Sequence, residues 1–312
     1  MSVMQPRHAA SPPRAAFYAL PIGLLVTALA SLWALAAPGG IPDPAHAAAL
    51  VPPAAASVKS LPAIEIESVA VVDPCADPDV TAALAARNDS AVIAAFGGAD
   101  AFRTSIASGS APCIPMNDPS HVWVVVNKAR ALSPLDYAPG SLAGSGLTTT
   151  TRSGTARDDV ASALAELASA AADAGAGRIG VNNGYRSYAL QVRTYGQHVQ
   201  SEGRAGADAV SARPGYSEHQ TGLSADIVAC SPDCGGIHSF AGTAQSNWVA
   251  QHAWEHGFIV RYEEGHTATS GYVAEPWHVR YIGKELAAAY HAGGFHTLEE
   301  FFGLPAAPDY VG

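Results

Sequence analysis

The sequence predicts an α+β fold with a central, mostly antiparallel sheet flanked by helices. Segments rich in β-branched and aromatic residues recur through the second half of the chain, and segments with apolar residues at helical spacing lie between them. The two kinds of segment do not follow the regular strand–helix–strand order that builds a parallel sheet. We therefore expect antiparallel strands in one layer, with helices packed on that layer.

The individual elements follow from local patterns. The expected strands are 121–127 (HVWVVVN), 178–187 (RIGVNNGYRS, ending in a loop), 224–230 (SADIVAC), 258–262 (FIVRY) and 272–283 (YVAEPWHVRYIG). The expected helices are 157–174, 187–203, 247–257 and 284–294. Apolar residues at helical spacing support the first of these helices, and Gly257 is a typical helix-ending residue for the third.

Residues 1–47 are predicted to be a signal peptide or an N-terminal membrane anchor. Arg7 and Arg14 precede an uncharged apolar run over 15–37, and the small residues at 45–47 suit a signal peptidase. The apolar run is also long enough to span a bilayer, so a retained anchor is as good an interpretation as a cleaved signal. Either way, the rest of the chain is expected outside the cytoplasm, secreted or anchored in the cytoplasmic membrane.

The remaining chain divides by composition. A Pro- and Ala-rich linker is predicted at 48–63, a small N-terminal extension at 64–115 and the main domain at 116–312. The extension is expected to contain a short strand-like run (IESVAVV) and two helices, near 79–87 and 89–106.

The number of cysteines is consistent with an exported protein. The chain has 4 cysteines, an even number, and disulfides are the default in an exported protein. Sequence proximity favours Cys230–Cys234, which leaves Cys75–Cys113 as the second pair. No two of the cysteines have the two-residue spacing of a structural zinc site.

The net charge argues against one class of partner. The formal charge is −10 at pH 7, and no basic stripe is present to neutralise phosphates. We therefore expect no nucleic-acid partner.

Two residues of the segment 217–226 (SEHQTGLSAD) are candidate metal ligands. His219 and Asp226 lie on either side of Gly222, and a turn there would aim both side chains at one point. A catalytic zinc needs three protein ligands from His, Asp or Glu and one open position for water. On its own, the segment is equally well explained by a hydrogen-bonded turn histidine and a capping or surface aspartate.

The segment 275–278 (EPWH) offers the missing groups. A turn or bulge at Pro276 would aim Glu275 and His278 at the same site. His278 would be the third ligand. Glu275 would lie just beyond the ligands, where a carboxylate can take a proton from the attacking water.

A third segment, GYRSYALQ at 184–191, places Arg186 where a loop meets a helix, with Gln191 just over one turn later. An arginine in this position can hold a carboxylate or stabilise the oxyanion that forms at a scissile carbonyl.

These segments, in this order, resemble the VanY-type zinc D-Ala-D-Ala carboxypeptidases. That family belongs to the LAS metallopeptidase group, which includes lysostaphin-like peptidases and the hedgehog signalling domain. The run VNKARALSPLDYAP at 126–139 resembles the opening of the same domain, and the resemblance spans about 118–303. It implies a LAS/hedgehog-like zinc peptidase fold for the main domain.

The resemblance also implies roles for single residues. One Zn²⁺ is expected, held by His219, Asp226 and His278 together with a water. Glu275 matches the catalytic base, and Arg186 matches the arginine that contacts the substrate carbonyl as it becomes an oxyanion. The expected contacts to the substrate peptide or its terminal carboxylate are Gln191 and Ser217, and the expected pocket walls are Tyr216 and Trp277.

The expected function is a D,D-carboxypeptidase that removes the terminal D-Ala from peptidoglycan stem peptides ending in D-Ala-D-Ala. A D,D- or L,D-endopeptidase of the same fold remains an alternative, because the motifs fix the chemistry better than the stereochemistry. A non-catalytic zinc-containing binding module is a second alternative, since the hedgehog domain shows that fold does not dictate function. A complete set of ligands, base and arginine favours the enzyme.

Overall fold

The computed structural model describes residues 73–151 and 153–311. The predicted signal or anchor, the linker at 48–63 and the strand-like run at the start of the extension lie outside the described residues. Within the part that is described, none of the helices combines the length and the apolar character needed to cross a bilayer.

The centre of the fold is a four-stranded sheet in the order β3–β4–β6–β5, with every neighbouring pair antiparallel. Its strands are β3 (Arg178–Asn183), β4 (Ser224–Cys230), β5 (Phe258–Tyr262) and β6 (Glu275–Tyr281). Ahead of them, β1 (Ala143–Gly144) pairs with β2 (Thr155–Ala156) as a separate ribbon. The predicted α+β class with an antiparallel sheet is confirmed.

Helices precede, connect and follow these strands. They are α1 (Pro78–Ala85), α2 (Asp89–Ala95), α3 (Ala99–Ala107), α4 (Asp158–Asp173), α5 (Tyr188–Val210), α6 (Ala244–His252), α7 (Thr267–Ser270), α8 (Lys284–Ala292) and α9 (Leu298–Phe301). Helix α4 buries Val160, Leu164 and Leu167 at helical spacing and packs on β3. Helix α5 runs beyond its predicted end, past a non-helical residue at Gly203 with φ 73°.

The N-terminal extension differs from its prediction in one respect. The helix expected near 89–106 is divided into α2 and α3, because Gly97 and Gly98 adopt φ values of 91° and 103° that end helical geometry. Both expected disulfides are confirmed. Cys75 bonds to Cys113, and Cys230 bonds to Cys234 just after β4.

The segment 121–127 is buried, but it is not a strand of the sheet, so the prediction of a strand there was wrong. The carbonyl oxygens of Val122 and Val124 accept hydrogen bonds from Arg280 Nη2 at 2.9 and 2.8 Å, and the Val125 amide donates to Met116 O at 2.9 Å. An arginine and a loop therefore satisfy backbone groups that a neighbouring strand would otherwise pair with. The β-branched residues of this segment reflect its burial and not its pairing with a neighbouring strand.

Four charged side chains, Glu218, Arg261, Arg280 and Glu299, form a buried ion-pair array in the core, each at most 2% exposed. Arg261 donates through Nε to Glu218 Oε1 at 2.9 Å and through Nη2 to Glu299 Oε1 at 2.8 Å. Arg280 Nη1 also donates to Glu218 Oε1, at 2.9 Å. Asn127 Nδ2 adds a bond to Glu299 Oε1 at 2.8 Å. Two positive and two negative charges balance, which a buried ionic group requires.

We expect Glu299→Gln to lower the free energy of unfolding by about 3–5 kcal/mol at neutral pH, because it leaves part of the Arg261 charge uncompensated in the core. Burial alone would raise the pKa of Glu299, but the Arg261 guanidinium outweighs burial and holds that pKa below its ordinary value. A carboxyl of this kind stabilises the fold above its unfolded-state pKa and loses that contribution as the pH falls through the folded-state pKa.

The deficit of the variant should therefore shrink in acid, where the wild-type carboxyl also loses its charge. Urea unfolding of both proteins over a pH series measures this difference. Equal stability at neutral pH, or a deficit independent of pH, would contradict the assignment.

Candidate active site and metal centre

A cleft of about 880 Å³ opens beside the sheet and collects most of the residues that the sequence motifs single out. Its wall combines the loop after β3, helix α5, the turn before β4, and strand β6. The motif residues that line it are Arg186, Ser217, His219, Asp226, Glu275, Trp277 and His278. The other two predicted site residues, Gln191 and Tyr216, do not belong to its described wall.

The segment 217–226 forms the turn that its glycine suggested. Residues Glu218–Thr221 make one turn of 3₁₀ helix, and Gly222 follows it with φ 73° and ψ 7°. This left-handed conformation is accessible to glycine at little cost. It reverses the chain into β4, so that His219 Nε2 lies 3.4 Å from Asp226 Oδ2.

Strand β6 brings the other two groups to the same point. Asp226 is paired with His278 in the sheet. β6 also pairs with β5, on its other side. Between two paired positions β6 runs from Val279 to Glu275, whereas β5 runs only from Val260 to Tyr262. The additional residues on β6 form a bulge. The bulge places His278 Nδ1 3.2 Å from Asp226 Oδ1 and 3.7 Å from Glu275 Oε2.

The two histidines each have one ring nitrogen engaged and one directed into the cluster. His219 Nδ1 lies 2.8 Å from the carbonyl oxygen of Gly184, which leaves Nε2. His278 Nε2 lies 3.2 Å from Glu218 Oε2, which leaves Nδ1. Such outer partners fix the tautomer and ring orientation of a metal-binding histidine.

The aspartate completes the set. Asp226 Oδ2 accepts a hydrogen bond from Asn183 Nδ2 at 3.0 Å, whereas Oδ1 is buried without a hydrogen-bond partner among the described residues. One ligand atom each from His219, Asp226 and His278 lies within 4.8 Å of the others. An unpartnered carboxylate oxygen and two imidazole nitrogens fit the donor set of a transition-metal ion such as zinc.

Burial and charge tune these groups. Burial raises the pKa of Glu275 to about 7. Burial would also raise the pKa of Asp226, but the neighbouring His219 and His278 hold it well below its usual range. Burial lowers the pKa of Arg186, although Asp226 and Glu275 partly oppose that effect. A carboxyl that titrates near neutral pH beside a metal-binding cluster is suited to proton transfer.

Arg186 is held in place from behind. Its Nη1 donates to Gln191 Oε1 at 2.9 Å, and its backbone amide donates to His219 O at 3.1 Å. Gln191 is fully buried, and its Nε2 donates to Ala212 O at 2.6 Å. The structure thus places Gln191 where it orients Arg186. Ser217 lies in the cleft wall itself and is 4% exposed.

The aromatic residues divide between the cleft and the neighbouring core. Trp277 lines the cleft and meets the His238 ring edge-on, with 5.3 Å between ring centroids. Tyr216 instead packs edge-on against Tyr310 at 5.2 Å. Tyr262 also lines the cleft. It was missed by the motif analysis, and its place in an ordinary apolar strand carried no signal.

Gly222→Ala should weaken metal binding and lower stability. The new Cβ would lie 3.1 Å from Pro139 Cγ and 3.2 Å from the Arg157 backbone nitrogen, at a φ of +73°. The left-handed conformation alone costs about 1–2 kcal/mol for a residue with a side chain, and relieving the contacts moves His219 relative to Asp226.

Gly175→Ala is the matched control, because Gly175 has φ +77° and open space around its position. It should lose only the stability that the left-handed conformation costs, about 1–2 kcal/mol, and keep metal affinity. Zinc titration of stripped proteins, with unfolding curves, makes the comparison. Equal zinc affinity in the two variants would show that the turn does not set the ligand geometry.

Comparison with known proteins gives a consistent result. The family model described as VanY, D-alanyl-D-alanine carboxypeptidase, matches residues 154–284. A putative carboxypeptidase, YodJ of Bacillus subtilis (strain 168), is 35% identical over 191 residues, which cover 60% of this chain and 69% of YodJ.

Two solved structures extend the comparison. The LdcB LD-carboxypeptidase superposes with a TM-score of 0.55 at 34% identity, covering 59% of this chain and 86% of that one. A variant of the vancomycin-resistance D,D-pentapeptidase VanY from a VanB-type cassette, solved in complex with Zn(II), gives a TM-score of 0.47 at 29% identity, covering 57% of this chain and 96% of that one. The VanY family model matches this chain, and the match to YodJ covers 69% of that protein. The chain therefore belongs to the VanY family of D-alanyl-D-alanine carboxypeptidases.

Proposed function

We propose that this protein is a zinc-dependent D,D-carboxypeptidase that hydrolyses the terminal D-Ala-D-Ala bond of peptidoglycan stem peptides. The observation that carries the proposal is the convergence of three ligand atoms, within 4.8 Å of one another, beside the buried carboxyl of Glu275. Family membership supports the substrate class, and the full set of groups favours an enzyme over a binding module.

The proposed ligands of a single Zn²⁺ are His219 through Nε2, His278 through Nδ1 and Asp226 through a carboxylate oxygen. Three protein ligands leave one position open for water, the arrangement of catalytic rather than structural sites. Held by these residues, a zinc ion would supply a more acidic water and polarise the scissile carbonyl. All other steps fall to side chains of the chain itself.

Glu275 is the proposed general base. It lies 3.7 Å from His278 Nδ1, and its side chain is only 18% exposed at the cleft wall. In this role its carboxylate takes the proton of the attacking water and then gives that proton to the amine of the departing D-Ala. A pKa raised to about 7 by burial suits a group that must first accept and then release a proton.

Arg186 is proposed to stabilise the oxyanion that forms at the scissile carbonyl. Its guanidinium faces the cleft and is held by Gln191 from behind. A charged donor that is already oriented does not have to reorganise during the reaction. Ser217 and Trp277 line the same cleft, and we assign them to contacts with the substrate peptide.

L,D-carboxypeptidase activity is the second candidate, because the LdcB LD-carboxypeptidase is the structural relative with a TM-score of 0.55. Both reactions release D-Ala and need the same metal, base and arginine. They differ in the configuration of the residue on the acyl side of the bond, which is D-Ala in one case and an L-residue in the other.

We propose an extracytoplasmic location, secreted or anchored through 15–37, because peptidoglycan is the proposed substrate. Two disulfides and the lack of free cysteines among the described residues support an oxidising compartment.

Purified protein should release one D-Ala from a stem pentapeptide ending in D-Ala-D-Ala and leave the tetrapeptide product intact. The assay uses matched penta-, tetra- and cross-linked peptides, with products identified by mass spectrometry. Release of D-Ala from the tetrapeptide would identify the L,D activity, and cleavage of the cross-linked peptide alone would identify an endopeptidase. No cleavage of any of them by zinc-loaded protein would refute the peptidase proposal.

Two variants should separate metal binding from proton transfer. Glu275→Gln is expected to keep about one zinc per chain and lose about 10²–10⁴-fold in kcat, since it removes the base and no ligand. Asp226→Ala is expected to lose the zinc together with the activity. Metal analysis and D-Ala release are measured on the same preparations. Wild-type turnover by Glu275→Gln would remove that residue from its role, and stoichiometric zinc in Asp226→Ala would remove the aspartate from the ligand set.

A further inference from the structure

We propose that Glu218 is a positioning residue for the metal ligand His278. Its carboxylate fixes the imidazole proton on Nε2 and thereby keeps the Nδ1 lone pair available to the metal. The inference rests on the proposed zinc site, but it concerns a residue that acts through a ligand and not on the substrate.

The carboxylate of Glu218 is in direct contact with the imidazole of His278. Glu218 Oε2 lies 3.2 Å from His278 Nε2. An ionised carboxylate only accepts hydrogen bonds, so the nitrogen that faces it carries a hydrogen. A neutral imidazole with its hydrogen on Nε2 has its lone pair on Nδ1, and this is the atom that lies 3.2 Å from Asp226 Oδ1. Asp226 Oδ1, the other carboxylate oxygen that this imidazole faces, belongs to a proposed ligand, so a metal bound there would replace any hydrogen on Nδ1, whereas the hydrogen on Nε2 stays with Glu218. The tautomer favoured by Glu218 is therefore the one that the ligand cluster needs.

The Glu218 side chain is held in one orientation by its other hydrogen bonds. Its Oε1 accepts from Arg261 Nε and Arg280 Nη1, both at 2.9 Å, and its Oε2 accepts from Ser224 Oγ at 3.2 Å. The residue is 2% exposed, so water does not compete for these oxygens. One oxygen is held by the arginines of the buried ion-pair array, and the other remains directed at the histidine.

The two histidine ligands consequently differ in their outer partners. His219 Nδ1 faces a neutral carbonyl oxygen, that of Gly184, at 2.8 Å. His278 Nε2 faces a charged carboxylate. A carboxylate partner makes an imidazole the stronger electron donor, and loss of such a partner typically weakens metal binding by about 10–100-fold. We therefore assign a larger share of zinc affinity to the Glu218–His278 pair.

A near-isosteric substitution tests the idea, because Glu218→Gln reverses the polarity of one terminal atom. The two arginine donors require the amide oxygen on their side, which leaves the amide NH₂ facing His278 Nε2. An NH₂ group donates, so it favours an unprotonated Nε2 and a hydrogen on Nδ1. That tautomer blocks the atom proposed to bind zinc.

Glu299→Gln is the matched control. Glu299 is buried in the same ion-pair array and is bonded to the same Arg261, but its other partner is Asn127 and not a ligand. Competition with a chromophoric chelator measures zinc affinity for wild type and both variants without any substrate. We expect affinity to fall about 10–100-fold in Glu218→Gln and to remain at the wild-type value in Glu299→Gln.

Unchanged affinity in Glu218→Gln overturns the proposal, and so does an equal loss in both variants, which would indicate a general effect of the damaged array. Because the measurement uses no peptide, it is independent of whether the protein proves to be a D,D-carboxypeptidase. A wild type that binds zinc and cleaves nothing would refute the proposed function alone.

If Glu218→Gln does not fold, the wild type still provides a test. Nitrogen-15 NMR of the histidine rings in zinc-loaded protein should show a slowly exchanging proton on His278 Nε2, protected by the buried carboxylate. A proton on Nδ1, or an Nε2 proton that exchanges freely with solvent, would overturn the assignment.

Discussion

The buried carboxylate of Glu218 is the constraint on which the rest of the structure depends. Charges taken out of water must be compensated by partners at hydrogen-bond distance, because breaking such a set leaves an isolated charge in the core. Glu218 meets this requirement through Arg261 on β5 and Arg280 on β6. Arg261 in turn binds Glu299 of helix α9. The turn before β4, two strands and the last helix are thereby held in one relative position.

The pleat of the sheet connects this array to the active site. Side chains two residues apart on a strand point to the same face. On β4, Ser224 and Asp226 share a face, and they are paired with Arg280 and His278 of β6. The opposite face carries residues such as Ile227 and Val279, which are fully buried in the apolar core. One face is therefore apolar, and the other carries the ligands and the charges that stabilise them.

The sequence predicted the parts of the site that local chemistry encodes. The glycine between His219 and Asp226 indicated the turn, and Pro276 indicated the bulge that aims Glu275 and His278. Both follow from backbone preferences that are visible in a short segment. The antiparallel sheet and the disulfide pairing could also be predicted, because strand composition and the proximity of cysteines are visible in short segments of the sequence.

What the sequence did not reveal depends on partners that are distant along the chain. Glu218 lies inside the most informative motif, yet its role requires Arg261 and Arg280, which are brought to it only by folding. The segment 121–127 has the composition of a strand, but its carbonyl groups are taken by Arg280. Gln191 matches a substrate contact by position, and the structure buries it behind Arg186. Composition indicated burial only for the segment 121–127, and in all three cases the identity of the buried partner is a property of the fold.

The division between chemistry and specificity follows from the same geometry. The proposed metal ligands and base come from the turn Glu218–Thr221 and from strands β4 and β6, all held by the array. Other parts of the cleft wall come from helix α5 and from the segments between the strands, at Leu190, Thr194, Val210, Ile237 and Val273. D,D- and L,D-carboxypeptidases break the same kind of amide bond and release the same amino acid. They are distinguished by the substituents on the acyl-side α-carbon, which we expect to contact these parts of the wall. Substrate preference can therefore change through α5 and the loops while the rigid part of the site stays constant, as is usual where variable loops surround a fixed catalytic scaffold.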